Sequence, residues 1–229
     1  KAALQGGIDG ITTAPLNKSA LHQAGLNFPG HTEILAKECH CDQFAMMLYL
    51  PPDETIQSPH GLGVAHVTLH TSIQSVPQLL STEDVFQTGE LLARFMQQVG
   101  CKQPRIAICA LNPHAGEAGL FGDEEEKLIT PAVKKLSAKG VDVTGPLPAD
   151  TLILRAVRGQ FDGIVAMYHD QGHIPFKLLG FHKAVNITLG LPIVRTSPSH
   201  GTAFDIANKY QADATGMIEA IRMAVLLVK

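Results

Sequence analysis

Short apolar runs alternate with helix-sized stretches along the whole chain, and this alternation restricts the possible folds more than any other feature. Buried strands are expected at 10–15, 44–50, 62–70, 105–111, 161–168 and 184–189. Helices are expected between them. One starts near Asn17, whose side chain suits a helix N-terminus, and another covers 31–39. A long helix over 82–99 carries an apolar stripe of Val85, Leu91, Leu92 and Phe95. Acidic residues at 123–126 load the first turn of a further helix, and 213–227 closes the chain as an amphipathic one. Strands separated by helices predict an α/β protein with a parallel, doubly wound sheet.

The 229 residues suffice for one large domain or two small ones, with 45% hydrophobic and 17% charged residues, a globular balance. A net charge of −3 argues against a nucleic-acid surface, so any phosphate contact must be local. Cys39, Cys41, Cys101 and Cys109 have no zinc-module spacing, and a reducing cytoplasmic setting is expected. Neither a signal peptide nor an 18-residue apolar run is visible, so no membrane association is expected. Residues 1–10 read as a helix tail, a glycine stop and a strand, as if an N-terminal portion were missing.

Three of the apolar runs end in histidine: His70, His114 and His169. Imidazoles at the mouths of buried strands are placed for ligand or acid–base work, and three of them suit one divalent ion. His66 competes with His70. On a strand the two share a face but stand about 13 Å apart at roughly 3.3 Å per residue, so one of them is expected to reach the site.

The loop 112–122 follows a strand and joins Asn112, His114 and Glu117 to several glycines, more polar chemistry than a simple connection needs. Residues 167–172 repeat that logic, with Asp170 and Gln171 beside His169. His31 and Thr32 open a helix and offer donors to an anion, although a plain cap fits equally well. Lys177, Asn186 and Arg195 lie among apolar neighbours and suit a phosphate or carboxylate. The segment 199–207 lacks the G-x-G-x-x-G pattern, so a nicotinamide nucleotide would need another device.

Taken in order, the motifs at 30–33, 111–117, 145–151, 167–172, 185–192 and 200–203 closely resemble the 4-hydroxythreonine-4-phosphate dehydrogenase family over nearly the whole chain. The resemblance implies an isocitrate/isopropylmalate dehydrogenase-like fold of two α/β subdomains, roughly 14–140 for metal and dimer contacts and 141–229 for the cofactor side, with the active site in the cleft. It implies a homodimer whose metal site is shared across the interface, with His70, His114 and His169 as ligands to Zn, Mg, Co or Mn. It also implies substrate binding by His31, Thr32, Lys177, Asn186 and Arg195, and NAD or NADP binding by His200, Gly201, Thr202 and Ala203. Asp170 is a candidate catalytic group.

The implied reaction is metal-dependent oxidation and decarboxylation of 4-phospho-hydroxy-L-threonine to 3-amino-2-oxopropyl phosphate, a step of pyridoxal phosphate biosynthesis. The runs 13–18 and 68–73 depart from that pattern. They look more like a paralogous branch acting on D-threonate or D-erythronate 4-phosphate, which would give dihydroxyacetone phosphate. Two rivals stand beside these readings: a non-catalytic phosphate-binding homologue, and a hydrolase in which three histidines activate water.

Overall fold

The computed structural model describes residues 1–228. Its strands are β1 Gly10–Thr12, β2 Ala45–Leu50, β3 Leu62–His66, β4 Arg105–Cys109, β5 Asp142–Leu147, β6 Gly163–Ala166, β7 Val185–Leu189 and β8 Val194–Pro198. Its helices are α1 Lys18–Gln23, α2 His31–Glu38, α3 Val76–Leu79, α4 Thr82–Gln98, α5 Thr130–Ala138, α6 Ala149–Val157, α7 His169–Gly180 and α8 Thr215–Leu227. All the described strands join one sheet in the order β1-β8-β7-β2-β3-β6-β4-β5.

The expected parallel sheet is corrected to a mixed one. β3, β6, β4 and β5 are parallel neighbours, as are β1 and β8. β2 instead runs antiparallel to both β3 and β7, and β7 antiparallel to β8. A parallel return needs a crossover of about a dozen residues or more, usually helical. The connections 51–61 and 190–193 contain no helix and turn the chain straight back.

Several expected boundaries shift. The strand predicted over 62–70 stops at His66, and the one over 105–111 stops at Cys109. Residues 2–6 form turns rather than the end of a helix. The acidic run opens not a regular α-helix but a π-helical turn at Glu125–Ile129, which precedes α5. β5 escaped notice because Gly145 and Pro146 interrupt its pattern; as an edge strand it tolerates the missing N–H.

Apolar layers cover both faces of the sheet. Met47, Val165 and Ile187 face Leu92 and Met96 of α4, Leu136 of α5 and Met223 of α8. Leu48, Val64 and Ile164 face Leu152 of α6 and Phe176 of α7. Each such side chain, fully buried, contributes about 1.5–3 kcal/mol. The start of α4 is well capped, since Ser81 Oγ accepts from Asp84 N at 3.1 Å, and Glu83 and Asp84 complement the helix dipole.

The register positions the site. Ser197, Asn186, Leu48, Val64, Ile164 and Ala107 are partners across six strands, so they lie in one row on the α6/α7 face. One step along each strand on that face, residues alternating by two, come Arg195, Thr188, Met46, His66 and Ala166, with Thr188 paired to Met46 and His66 to Ala166. The first row is mostly apolar. In the second, at the rim where β3 and β6 end, polar groups begin.

Candidate active site

Three adjoining cavities occupy this rim. The central one, about 500 Å³, takes its walls from residues distant in sequence, including His31, Thr32, His70, Asn186, Arg195 and His200. A more apolar cavity of about 970 Å³ shares Pro15, His200 and Gly201 with it and continues past Thr202, Ala203 and Phe204. A third, about 520 Å³, shares Leu69 and His70 with the central cavity and is closed by Tyr168, His169 and Asp170.

Arg195 is the electrostatic centre of the first cavity. It is 4% exposed. Its Nη1 donates to Thr188 Oγ1 at 3.2 Å and its Nη2 to Thr13 Oγ1 at 2.8 Å, while Nε makes no hydrogen bond. Among the described residues no carboxylate forms an ion pair with it. Burial lowers its pKa to about 10, against a smaller opposing effect of Glu33. A desolvated cation with hydroxyl partners only, and a free N–H, is arranged for an anion.

Other donors converge there. Thr188 Oγ1, accepting from Arg195, lies 3.3 Å from Thr32 Oγ1, which joins the guanidinium to the start of α2. That helix begins at Gly30 without a side-chain cap, so its first N–H groups are open to an anionic ligand. Asn186 Oδ1 is buried and also makes no hydrogen bond. Burial, then the charge of Arg195, lowers the His31 pKa.

At the third cavity the His70 and His169 rings approach to 6.0 Å between centroids. His169 Nδ1 lies 2.6 Å from Asp170 Oδ1. The carboxylate accepts, so Nδ1 carries a proton and Nε2 is the ring nitrogen left to face a ligand. Burial lowers the His70 pKa, with Lys18 and His169 adding to the effect. Two imidazoles, one of them oriented by a carboxylate, form a donor pair that fits a divalent transition ion. Among the described residues, however, no group of three His, Cys, Asp or Glu side chains stands close enough to hold a metal.

His114 stands apart from these cavities, exposed on the turn Pro113–Gly119. That turn is left-handed: φ is 53° at His114, 54° at Ala115, 75° at Gly116, 43° at Glu117 and 56° at Ala118. Left-handed backbone costs a non-glycine residue roughly 1–2 kcal/mol, so something must hold it. The buried Glu125 does so, because its Oε1 accepts from Leu111 N at 2.8 Å and Asn112 N at 2.7 Å, and its Oε2 from Asn112 Nδ2 at 3.0 Å. Lys177 is exposed on α7 and lines none of the three cavities.

The rim holds groups that the sequence reading did not single out. Lys18 and Glu33 line the central cavity, and Lys18 acts on His70. The expectation that only one of His66 and His70 reaches the site is corrected: both line the central cavity, His66 as a buried ring in contact with His173. Thr13 and Lys18 belonged to a run noted for its departures, the one available signal for them. His173 is screened by the helical setting of α7.

These features define an α/β protein of the isocitrate dehydrogenase-like fold, with an anion pocket and a histidine cluster at one rim. Isocitrate dehydrogenase from Methylococcus capsulatus superposes with a TM-score of 0.59 at 14% identity, covering 93% of this chain and 66% of that one, a likeness of fold alone. The family is more specific: the profile described as "Pyridoxal phosphate biosynthetic protein PdxA" matches residues 1–224, and the chain belongs to that family. D-threonate 4-phosphate dehydrogenase of Salmonella typhimurium is 51% identical over 225 residues, 98% of this chain and 66% of that protein. The crystal structure of 4-hydroxythreonine-4-phosphate dehydrogenase from Klebsiella pneumoniae has a TM-score of 0.85 at 47% identity, covering 100% of this chain and 67% of that one. The chain thus spans about two-thirds of the length of the relatives it matches.

Proposed function

We propose that the protein containing this chain is an NAD- or NADP-linked, metal-dependent dehydrogenase. Its substrate would be a four-carbon, 4-phosphorylated hydroxy acid, oxidised to a β-keto acid that loses carbon dioxide. The observation that carries this reading is the adjacency of three cavities, one built for an anion, one bearing histidine donors and one apolar and wide. D-threonate 4-phosphate is the first substrate to test, on the strength of the 51% identical relative. 4-Phospho-hydroxy-L-threonine is the second, supported by the family profile.

Arg195, with Thr32 and the open start of α2, would neutralise the phosphate or carboxylate, and Asn186 Oδ1 would accept from a substrate hydroxyl. His31, kept neutral by burial, would orient the substrate. His70 and His169 would supply metal ligands from one subunit. His114, projected outward on its left-handed turn, would complete the set across the interface of a homodimer. Lys177 would likewise reach substrate from the partner's side. His200, Gly201, Thr202 and Ala203 would hold the dinucleotide along the apolar wall. When bound, the divalent ion supplies Lewis acidity and the nicotinamide accepts hydride. Asp170, engaged with His169 Nδ1, would act by keeping that ring in place and its tautomer fixed. In the two-lobed division, 14–140 would carry the metal and dimer contacts and 141–229 the cofactor side.

The test is NADH or NADPH formation by the full-length protein with Zn²⁺, Mg²⁺, Co²⁺ or Mn²⁺, offered D-threonate, D-erythronate and 4-hydroxy-L-threonine 4-phosphates in parallel. Turnover of one or more is expected. No reduced nucleotide with any combination would overturn the enzymatic reading in favour of a binding protein.

A further inference from the structure

Two buried histidines with no assigned part in the reaction pack against the candidate metal site, and one of them, His66, also lines the central cavity. His66 is the last residue of β3 and His173 lies one turn into α7; they are 2% and 6% exposed. His173 stacks flat under His169, with ring centroids 3.7 Å apart and planes inclined by 10°. On its other side, His173 Nδ1 lies 3.0 Å from His66 Nε2 and 3.2 Å from the carbonyl of His169. His66 Nδ1 faces the carbonyl of Met46 at 3.4 Å.

These partners fix the tautomers. A carbonyl accepts only, so His66 Nδ1 carries its proton and His66 Nε2 is left as an acceptor. His173 Nδ1 must then be the donor, shared between His66 Nε2 and the His169 carbonyl. The same N–H therefore ties the His173 ring both to the β3 strand end and to the backbone of the residue on which it stacks. Gly172 permits the arrangement: a Cβ there would run into His66 Nε2, and would lie 2.7 Å from Val64 Cγ1. α7 can approach β3 this closely because that position has no side chain.

We propose that His173, held by His66, is a positioning residue for the metal site: it fixes the plane of the His169 ring from below, as Asp170 fixes its Nδ1 from the side. The inference rests on the reading of His169 as a metal ligand. A flexible imidazole at the start of a helix would lose affinity each time it rotated; one clamped by stacking and by a carboxylate is prepared for coordination. Removal of a partner that orients a ligand typically costs about 10–100-fold in metal affinity.

Titration of the full-length apoprotein with Co²⁺ alone, followed through the visible ligand-field bands and by competition with a chelating dye, tests this. His173→Ala is expected to weaken Co²⁺ binding about 10–100-fold and to change the band positions or intensities. His173→Phe, which keeps ring and volume but loses the Nδ1 donor, is expected to fall between wild type and His173→Ala and serves as the folded variant should alanine prevent folding. His169→Ala provides the separate check on the underlying reading and is expected to abolish the site. If His169→Ala binds Co²⁺ as wild type does, the metal-ligand reading itself fails. If His169→Ala loses binding while a folded His173 variant keeps wild-type affinity and spectrum, the positioning role is overturned and the ligand reading stands.

Discussion

Arg105 grips Asp162 through two parallel hydrogen bonds, Nε to Oδ2 at 3.0 Å and Nη2 to Oδ1 at 2.9 Å. The pair joins the starts of the parallel strands β4 and β6, at the end of the sheet away from the cleft. Asp162 also accepts from Arg105 N and from Ser58 Oγ, both at 2.9 Å, so a nearly fully buried carboxylate is completely satisfied. Asp162→Ala leaves the buried Ser58 hydroxyl and the Arg105 backbone N–H without their acceptor, while the part-exposed guanidinium can turn to water, and should lower unfolding stability by about 2–3 kcal/mol in urea titration. A loss under about 1 kcal/mol would contradict this assignment of its role.

The same carboxylate should set part of the acid sensitivity. Burial works to raise its pKa, but hydrogen bonds from the Arg105 side chain and backbone and from Ser58 outweigh it and leave the group lowered; Cys101 also faces it. A lowered folded pKa gives stability that is present above the unfolded value of about 3.9 and is lost as pH falls through the folded one. Melting temperature measured from pH 6 down to pH 2 should therefore decline less steeply below about pH 4 in Asp162→Asn than in wild type.

Arg195→Met separates binding from folding. Loss of a charge-assisted contact to an anion should raise KM for the phosphorylated substrate roughly 10–100-fold. Because the guanidinium is buried without a carboxylate partner, stability should be unchanged or higher. A variant that melts well below wild type but keeps its KM would show that the arginine serves the fold.

Glu125→Ala should loosen the turn that carries His114, since Leu111 N and Asn112 N lose their acceptor. Hydrogen exchange of the amides at 112–119 is the direct measurement, and it should accelerate with a stability loss of about 1–3 kcal/mol. Unchanged exchange there would mean that the turn holds itself.

Gly172→Ala sets helix propensity against space. Alanine gains about 1 kcal/mol in a helix, but its Cβ meets His66 and Val64. Overpacking of this kind costs about 1–3 kcal/mol, so the variant should melt below wild type. A higher melting temperature would show that α7 and β3 can part without penalty.

Much of this site was legible as residue types in order. His70 and His169, which follow β3 and β6, and Arg195, set in an apolar run, all line the rim cavities, whereas His114, read from the same pattern, stands apart from them. The direction of β2 was not legible: a fully apolar strand reads alike in both directions, and short connections decide its sense. His66 and His70 could not be separated, since the stop of β3 at His66 depends on pairing with β6. His173 stayed hidden because α7 contains Gly172 and Pro175, which blur a helical pattern. The contact of His173 with His66 spans 107 positions of sequence.

The left-handed turn at Pro113–Gly119 has a further meaning for anyone building this protein by chemical synthesis. Chirality sets the cost there: the backbone at Ala115 and Ala118, with φ of 54° and 56°, is the natural conformation of a mirror-image residue. D-alanine at either position would be relaxed where L-alanine is strained, and elsewhere in the α-helices the same replacement would be disruptive. Over those few residues the chain takes the shape of its own enantiomer, and it does so where it displays His114.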